Sequence, residues 1–336
     1  MNSTGLSETL AKLPKAELHL HLEGSVRPEI AVQLAARHGA TLSEEEVRRR
    51  YDYGNFTEFL EAFKWVTAFL RTPEDFALLG ADLARQLIEQ NVRYAEITLS
   101  VGVMLLRKQN PQANFEALLQ ATEPFEPDLR LNWIFDAVRQ FGPAMAMEVV
   151  QWAKSCGSPR IVAFGIGGDE LSIATGEFRR AYHAASECGL RRLIHAGEIG
   201  GPEKICEAVE LLAVDRVGHG IAAIHDPALM DLLASRRICL EVCPASNVRT
   251  GALARQLSRP DATLRDHPLP KLLRHGVPVA LSTDDPSMFH VTLSEEYATA
   301  QSMGLSEAEL RQLAASSFEF SFLSQAERAR LNVRSA

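Results

Sequence analysis

A closed (β/α)8 barrel is the fold class this sequence predicts, on three observations. Eight short apolar stretches of strand character alternate with helical stretches along the chain, and such alternation builds a parallel sheet. The 336-residue length fits eight such units closing as one domain. No Gly-x-Gly-x-x-Gly opens a helix, which removes the main support for an open dinucleotide-binding sheet.

The elements follow in order. Residues 1–13 read as a short helical lead-in and 14–22 as the first strand. The stretch 28–38 has apolar residues at helical spacing and stops at Gly39, a C-terminal cap. The stretch 43–50 is charged on nearly every face, and 56–70 is an amphipathic helix dense in aromatics, which packing explains. Thr72-Pro73-Glu74-Asp75 has the N-cap, first-turn proline and acidic residues that open a helix through Gln90. Further strands are predicted over 92–101, 129–137, 161–166, 192–195, 216–219, 238–243 and 277–282, with helical stretches between them. Gly165, Gly167 and Gly168 read as a turn. No repeat or low-complexity linker interrupts the chain, so residues 1–336 are expected to form a single domain.

Composition narrows the function. With 46% hydrophobic and 23% charged residues the chain suits a soluble globular protein with a large core. A net charge of −8 argues against nucleic acid as a partner. No apolar run approaches the roughly 20 residues that span a bilayer, and the N-terminus lacks a charged-then-apolar signal pattern. A cytoplasmic protein with no membrane partner is expected. Five scattered cysteines without a Cys-x-x-Cys pair suggest reduced, mostly buried thiols.

The chemistry collects where a barrel places it, at the C-terminal ends of strands. His19 and His21 end the first predicted strand, two apart and so on one face of it; alone, such a pair is as well explained by hydrogen bonding in a core. But His195 ends the fifth strand in IHAGE, His219 the sixth in RVGHG, and Asp284 with Asp285 the eighth in LSTDDP. Polar groups on four strand ends of an apolar framework are hard to explain as isolated core residues, because buried charges need a partner or a metal to offset desolvation. His225, His267, His275 and His290 read as surface or loop residues.

PKAELHLHLEG, GGDE, HAGE, RVGHG, CPASN and STDDP, in that order over residues 14 to 290, resemble the successive signatures of the adenosine/adenine deaminase family. The resemblance implies a barrel enzyme that holds one divalent metal ion, Zn2+ foremost, and replaces a purine 6-amino group by oxygen. It implies His19, His21, His195 and Asp284 as metal ligands, a nitrogen and oxygen set that suits zinc. Glu198 matches the proton donor to purine N1, His219 the histidine that takes up or orients the water's proton, and Asp285 a contact to the hydroxide and to N7. Gly168 matches the backbone donor to N3, while Asp169 and Glu170 can be structural. The zinc deaminases with His-x-Glu and Pro-Cys-x-x-Cys are excluded, since no Pro-Cys-x-x-Cys is present.

Glu23 departs from the adenosine-specific pattern, where an aspartate commonly meets the ribose 5′-hydroxyl. Either it fills ribose space, as in adenine deaminases, or it turns aside and admits a larger 5′ substituent. FLEAFKWVTAFLRTPEDF and EITLSVGVMLLRKQ resemble the branch acting on 6-aminodeoxyfutalosine, a 5′-extended adenosine of the alternative menaquinone pathway. Phe59, Leu60 and Phe63 match the apolar gate over the nucleoside pocket, and Arg71, Arg107 and Lys108 are offered to a substrate carboxylate. The expected partner is a small purine nucleoside, with adenine deaminase the alternative. A catalytically silent purine-binding barrel is the alternative of another class; Glu198, His219 and both aspartates argue against it.

Overall fold

The computed structural model describes residues 8–331. At its centre eight strands pair in sequence order, each parallel to the next: β1 (Lys15–His21), β2 (Val92–Leu99), β3 (Arg130–Val138), β4 (Ile161–Gly167), β5 (Arg191–Ala196), β6 (Arg216–His219), β7 (Cys239–Val242) and β8 (Val279–Leu281). The first strand meets the last just past the end of β8. There His21 N donates to Asp284 O at 2.8 Å and Asp284 N to His19 O at 2.9 Å. The barrel thus closes where two of the polar strand ends lie, and that backbone pairing holds His19, His21 and Asp284 side by side.

The helices form where their caps predict. Thr72 and Asp75 make a capping box with Pro73 in the first turn of Pro73–Glu89, and Gly39 follows helix Pro28–Arg37 with φ +75°, the left-handed conformation that glycine tolerates best. Of the expected N-terminal lead-in, residues 1–7 lie outside the described residues, and a helix spans Glu8–Ala11. Among the described residues no helix is long and apolar enough to cross a membrane. Cys239 and Cys243 are buried, whereas Cys156, Cys188 and Cys206 are only half-buried, and all five are free.

Two sequence expectations need correction. Gly165 and Gly167 are not in a turn: they lie in β4, and only Gly168 follows it. Their lack of a side chain makes room inside the barrel, because a Cβ on Gly165 would come within 2.9 Å of Asp136 Oδ1 and one on Gly167 within 3.2 Å of His195 Cε1. His267 is not a surface residue: it is buried and lies 3.2 Å from Asn247 Oδ1. His225, His275 and His290 are exposed, as expected.

The barrel interior is partly ionic. Arg216 of β6, fully buried, pairs with Glu96 of β2 and donates from Nε to Glu241 of β7 at 2.6 Å, with the Phe322 ring 3.8 Å from its guanidinium carbon. Glu96 also accepts from Tyr94 at 2.7 Å and from Phe322 N at 2.6 Å. Such a cluster is tolerated only when every member is partnered, and its upper end, Glu241, reaches the functional site.

Candidate active site

Glu241 Oε2 lies 2.7 Å from His19 Nδ1. The Arg216 partnership keeps Glu241 ionised against the burial that opposes its charge, so it accepts from His19 and turns His19 Nε2 toward the mouth of the barrel. That nitrogen is buried and has no hydrogen-bond partner among the described residues. His21 Nε2 lies 3.2 Å from His195 Nε2 and 3.3 Å from Asp284 Oδ1. Asp284 Oδ2 accepts from Ser246 Oγ at 2.6 Å, which leaves Oδ1 facing His19 Nε2 at 3.4 Å. Ligand atoms of His19, His195, His219 and Asp284 all lie within 4.8 Å of one another, and His21 joins them through His195 and Asp284.

This arrangement fits a cation. Burial opposes a charge on His19, yet Asp284 and Glu241 outweigh it and raise its pKa to about 10. The protein field therefore favours one positive charge at the point where imidazole nitrogens and a carboxylate oxygen converge, and a divalent ion is the species that satisfies all of these donors together.

Two of these residues are held in left-handed conformations that only glycine adopts freely, His219 at φ 59° and Asp284 at φ 69°. Such backbone persists where the surroundings over-determine it, and it gathers at functional sites.

Beside the cluster stands Glu198. Desolvation raises its carboxyl to about pKa 8, so it is largely protonated at neutral pH. Its Oε1 accepts from Thr250 Oγ1 at 3.4 Å, and Oε2 lies 3.6 Å from His219 Nε2. Glu170 accepts from Gly200 N, and Gln256 Nε2 donates to the carbonyls of Glu198 at 2.8 Å and Gly200 at 2.7 Å. Glu170 therefore holds the loop that carries the acid. Asp285 is buried with Oδ1 unpartnered, and a methyl group on Gly24 would overlap its carboxylate. Gly168 lies exposed just past β4 at φ +91°.

Glu23 is held by the backbone at the end of β2. It begins a short turn, Glu23–Ser25, and Oε1 accepts from Ser100 N at 3.0 Å, so the carboxylate is drawn toward the end of β2 while Oε2 stays buried and unpartnered. It shares a small cavity with Phe63, Ser100, Met104 and Arg107. Phe63 and Leu60 are half-buried, but Phe59 is taken up in an aromatic cluster, 5.1 Å from Phe289 and 5.5 Å from Tyr53 between ring centres. Arg107 is not free for a ligand: it donates to Thr67 O at 2.5 Å and Thr67 Oγ1 at 3.0 Å. Arg71 Nε is likewise committed, to Ala68 O at 2.9 Å.

Sequence reasoning missed three side chains that hold this site, Glu241, Asn247 and His267, and a fourth, Asp136, that lines a small cavity with His19 and His195. Asp136 is buried at the end of β3, and burial raises its pKa to about 8. Glu241 and Asp136 each carried a signal, a lone charge in an apolar run (ICLEVC and WIFDAV). Asn247 sits in CPASN, after the strand end to which no chemical residue had been assigned.

Comparison with known proteins shows the family to which this chain belongs. The model of a family described as adenosine deaminase matches residues 14–334. The chain is similar to an aminodeoxyfutalosine deaminase of Streptomyces coelicolor, 38% identical over 330 residues that cover 96% of this chain and 83% of the relative. It is also similar to an adenine deaminase of the same organism, at 36% identity over 331 residues, 96% of this chain and 94% of the relative. Among solved structures it resembles an amidohydrolase from Burkholderia ambifaria, determined with bound Zn, with a TM-score of 0.86 and 28% identity over 98% of this chain and 93% of that one.

Proposed function

Because the chain belongs to the adenosine deaminase family and is a hydrolytic deaminase of purines, we propose that its substrate is 6-aminodeoxyfutalosine, a 5′-extended adenosine, converted to the 6-oxopurine with release of ammonia. What carries the deaminase chemistry is the convergence of His19, His21, His195 and Asp284 opposite a carboxyl, Glu198, kept protonated by burial. For the 5′ extension, the support is that Glu23 is drawn aside to Ser100 N rather than standing free in the pocket. Identity is slightly higher to the aminodeoxyfutalosine deaminase, at 38%, than to the adenine deaminase, at 36%, which makes adenine the second reading.

His19, His21, His195 and Asp284 would hold one divalent ion, Zn2+ by its preference for nitrogen and oxygen donors. When bound, such an ion lowers the pKa of water toward neutrality, to about 7 in favourable sites. The protein's own groups then divide the remaining work. Gly168 N would meet N3 and Asp285 N7, fixing the ring. Attack of water oxygen at C6 pushes electrons onto N1, and Glu198 delivers its proton there, stabilising the tetrahedral centre. His219 orients the attacking oxygen by donating to it from Nε2. The proton shed by the water passes by way of Asp285 to the amino nitrogen; breaking the C6–N bond then releases ammonia, and the C6 hydroxyl returns its proton to Glu198 as the 6-oxopurine forms. Phe59, Leu60 and Phe63 border the 5′ end, Phe59 through the cluster it supports. The whole chain, residues 1–336, acts as one barrel domain.

The test is a set of initial rates for zinc-loaded protein with adenine, adenosine, methylthioadenosine and aminodeoxyfutalosine at equal concentration, read from the adenine-ring absorbance. Fastest turnover of aminodeoxyfutalosine is expected. Fastest turnover of adenine replaces the substrate with the second reading.

A further inference from the structure

We propose that Asn247 and His267 are positioning residues that lock His219 as its Nε2–H tautomer, making it a hydrogen-bond donor to the reaction space and not a metal ligand. The inference rests on the deaminase reading for its consequence, but its geometry stands apart from it.

One group in this chain of contacts has a fixed direction. A backbone amide can only donate, and Leu269 N lies 3.1 Å from His267 Nδ1. Leu269 opens helix Leu269–His275, so its N–H has no partner within the helix. His267 Nδ1 must therefore accept and bears no proton. The neutral ring keeps its proton on Nε2, which donates to Asn247 Oδ1 at 3.2 Å. With its oxygen thus assigned, Asn247 turns its amide nitrogen to His219 Nδ1 at 3.1 Å and donates to it. His219 Nδ1 accepts, so its proton sits on Nε2, the atom that faces Glu198 Oε2 at 3.6 Å and Asp284 Oδ2 at 3.9 Å. All three side chains are buried, so water does not scramble the order.

Two neighbouring histidines are wired the other way. His19 Nδ1 faces Glu241 Oε2 at 2.7 Å, and His195 Nδ1 faces Ile166 O at 3.3 Å. Both partners can only accept, so these rings keep a proton on Nδ1 and turn Nε2 toward the centre as the nitrogen open to a metal. Distance alone admits His219 to the ligand group; its tautomer excludes it. One strand-end geometry thus yields ligands or a donor, according to what stands behind each ring.

The test reads protons directly. Long-range 1H–15N correlation spectra of 15N-histidine-labelled protein, metal-free and zinc-loaded, are assigned to His219 by the loss of its signals in His219→Gln. Expected is the Nε2–H pattern for His219 in both states, with Nδ1–H for His195, and for His19 in the zinc-loaded state. Asn247→Asp presents only acceptors to both rings and should switch His219 to Nδ1–H, lowering kcat by about 100-fold, the scale of one lost donor to the reacting oxygen, with bound zinc unchanged. His267→Gln, which keeps a donor toward Asn247, should retain far more activity than His267→Leu. An Nδ1–H pattern for His219 in the unmodified protein overturns the proposal, as does an unchanged ring pattern in Asn247→Asp. Absence of purine turnover beside an Nε2–H pattern supports the wiring and removes the proposed reaction instead.

Discussion

Between β5 and β8, the polar side chains that face the pocket are held from behind: Ser246 on Asp284, Asn247 on His219, Thr250 on Glu198, Glu170 on the loop beneath it. Three of these four supports come from one stretch, helix Pro244–Arg249 and Thr250 after it. The outer half of the pocket, where β1 and β3 end and Asp285 follows β8, is less complete. Glu23 Oε2 and Asp285 Oδ1 are buried without partners, and Asp136 is a buried carboxyl raised to about pKa 8 by desolvation. Unsatisfied buried polar atoms cost stability and are rare in folded proteins. Glu23 and Asp285 mark where a ligand completes the hydrogen bonding, whereas the side chains held from behind are built in advance for the reaction.

If that contrast holds, the largest losses come from the pre-built half. Glu198→Gln removes the proton donor and keeps its shape, so turnover should fall about 1,000-fold with metal content by elemental analysis unchanged. Retained activity would sink the assignment. The sign of its pH dependence follows from the direction of its shift. A carboxyl raised to about 8 by burial is active below that value and loses its proton as pH rises through it. A bound cation nearby pulls the value down. The kcat/KM profile should therefore show an alkaline limb at or below pH 8.

Next in size is the ionic support under His19. Glu241→Gln weakens the acceptor for His19 Nδ1 and strips Arg216 of one of its two carboxylates. Zinc affinity measured by chelator competition should fall 10- to 100-fold or about that, the usual cost of losing such an outer partner. Unchanged affinity would mean that the ion is held without help from the barrel's ionic interior.

How far each half was legible in the sequence follows the same division. His19, His21, His195 and Asp284 stand out because histidine and aspartate interrupt apolar strands at the ends where a barrel exposes side chains. Their supports do not stand out. Arg216 meets Glu96 and Glu241 across three strands, and His267 reaches Asn247 from a loop 20 residues later. No local periodicity records such pairings, which exist only once the barrel closes. His267 in particular looks like any loop histidine until the buried Asn247 is placed beside it. Glu23 was legible as a departure from pattern, but its direction depended on Ser100 N, which β2 delivers.

On the outer half the effects should be smaller and should show in specificity. Glu23→Asp shortens the reach to Ser100 N and returns the carboxylate toward the pocket. The ratio of kcat/KM for adenosine over the 5′-extended nucleoside should then rise about tenfold, the scale of one relocated hydrogen bond. An unchanged ratio would show that Glu23 has no part in selecting the 5′ group.

The smallest effect is expected at Arg107, and it separates support from recognition. Its guanidinium is committed to the Thr67 carbonyl and hydroxyl, and only its long-range attraction to Glu23 bears on the pocket. Arg107→Ala should therefore loosen the end of helix Phe56–Thr67 and lower stability by about 1–2 kcal/mol, the worth of two partly buried hydrogen bonds, as read by denaturant unfolding. KM for a carboxylate-bearing substrate should change by less than about twofold, because no charge-assisted bond to the substrate is lost. Were Arg107 instead the anchor for that carboxylate, KM would rise at least tenfold or so while stability changed little. The two measurements move in opposite directions under the two roles, so one variant decides whether the outer half already contains its own cation for a charged 5′ group or leaves that contact to another residue.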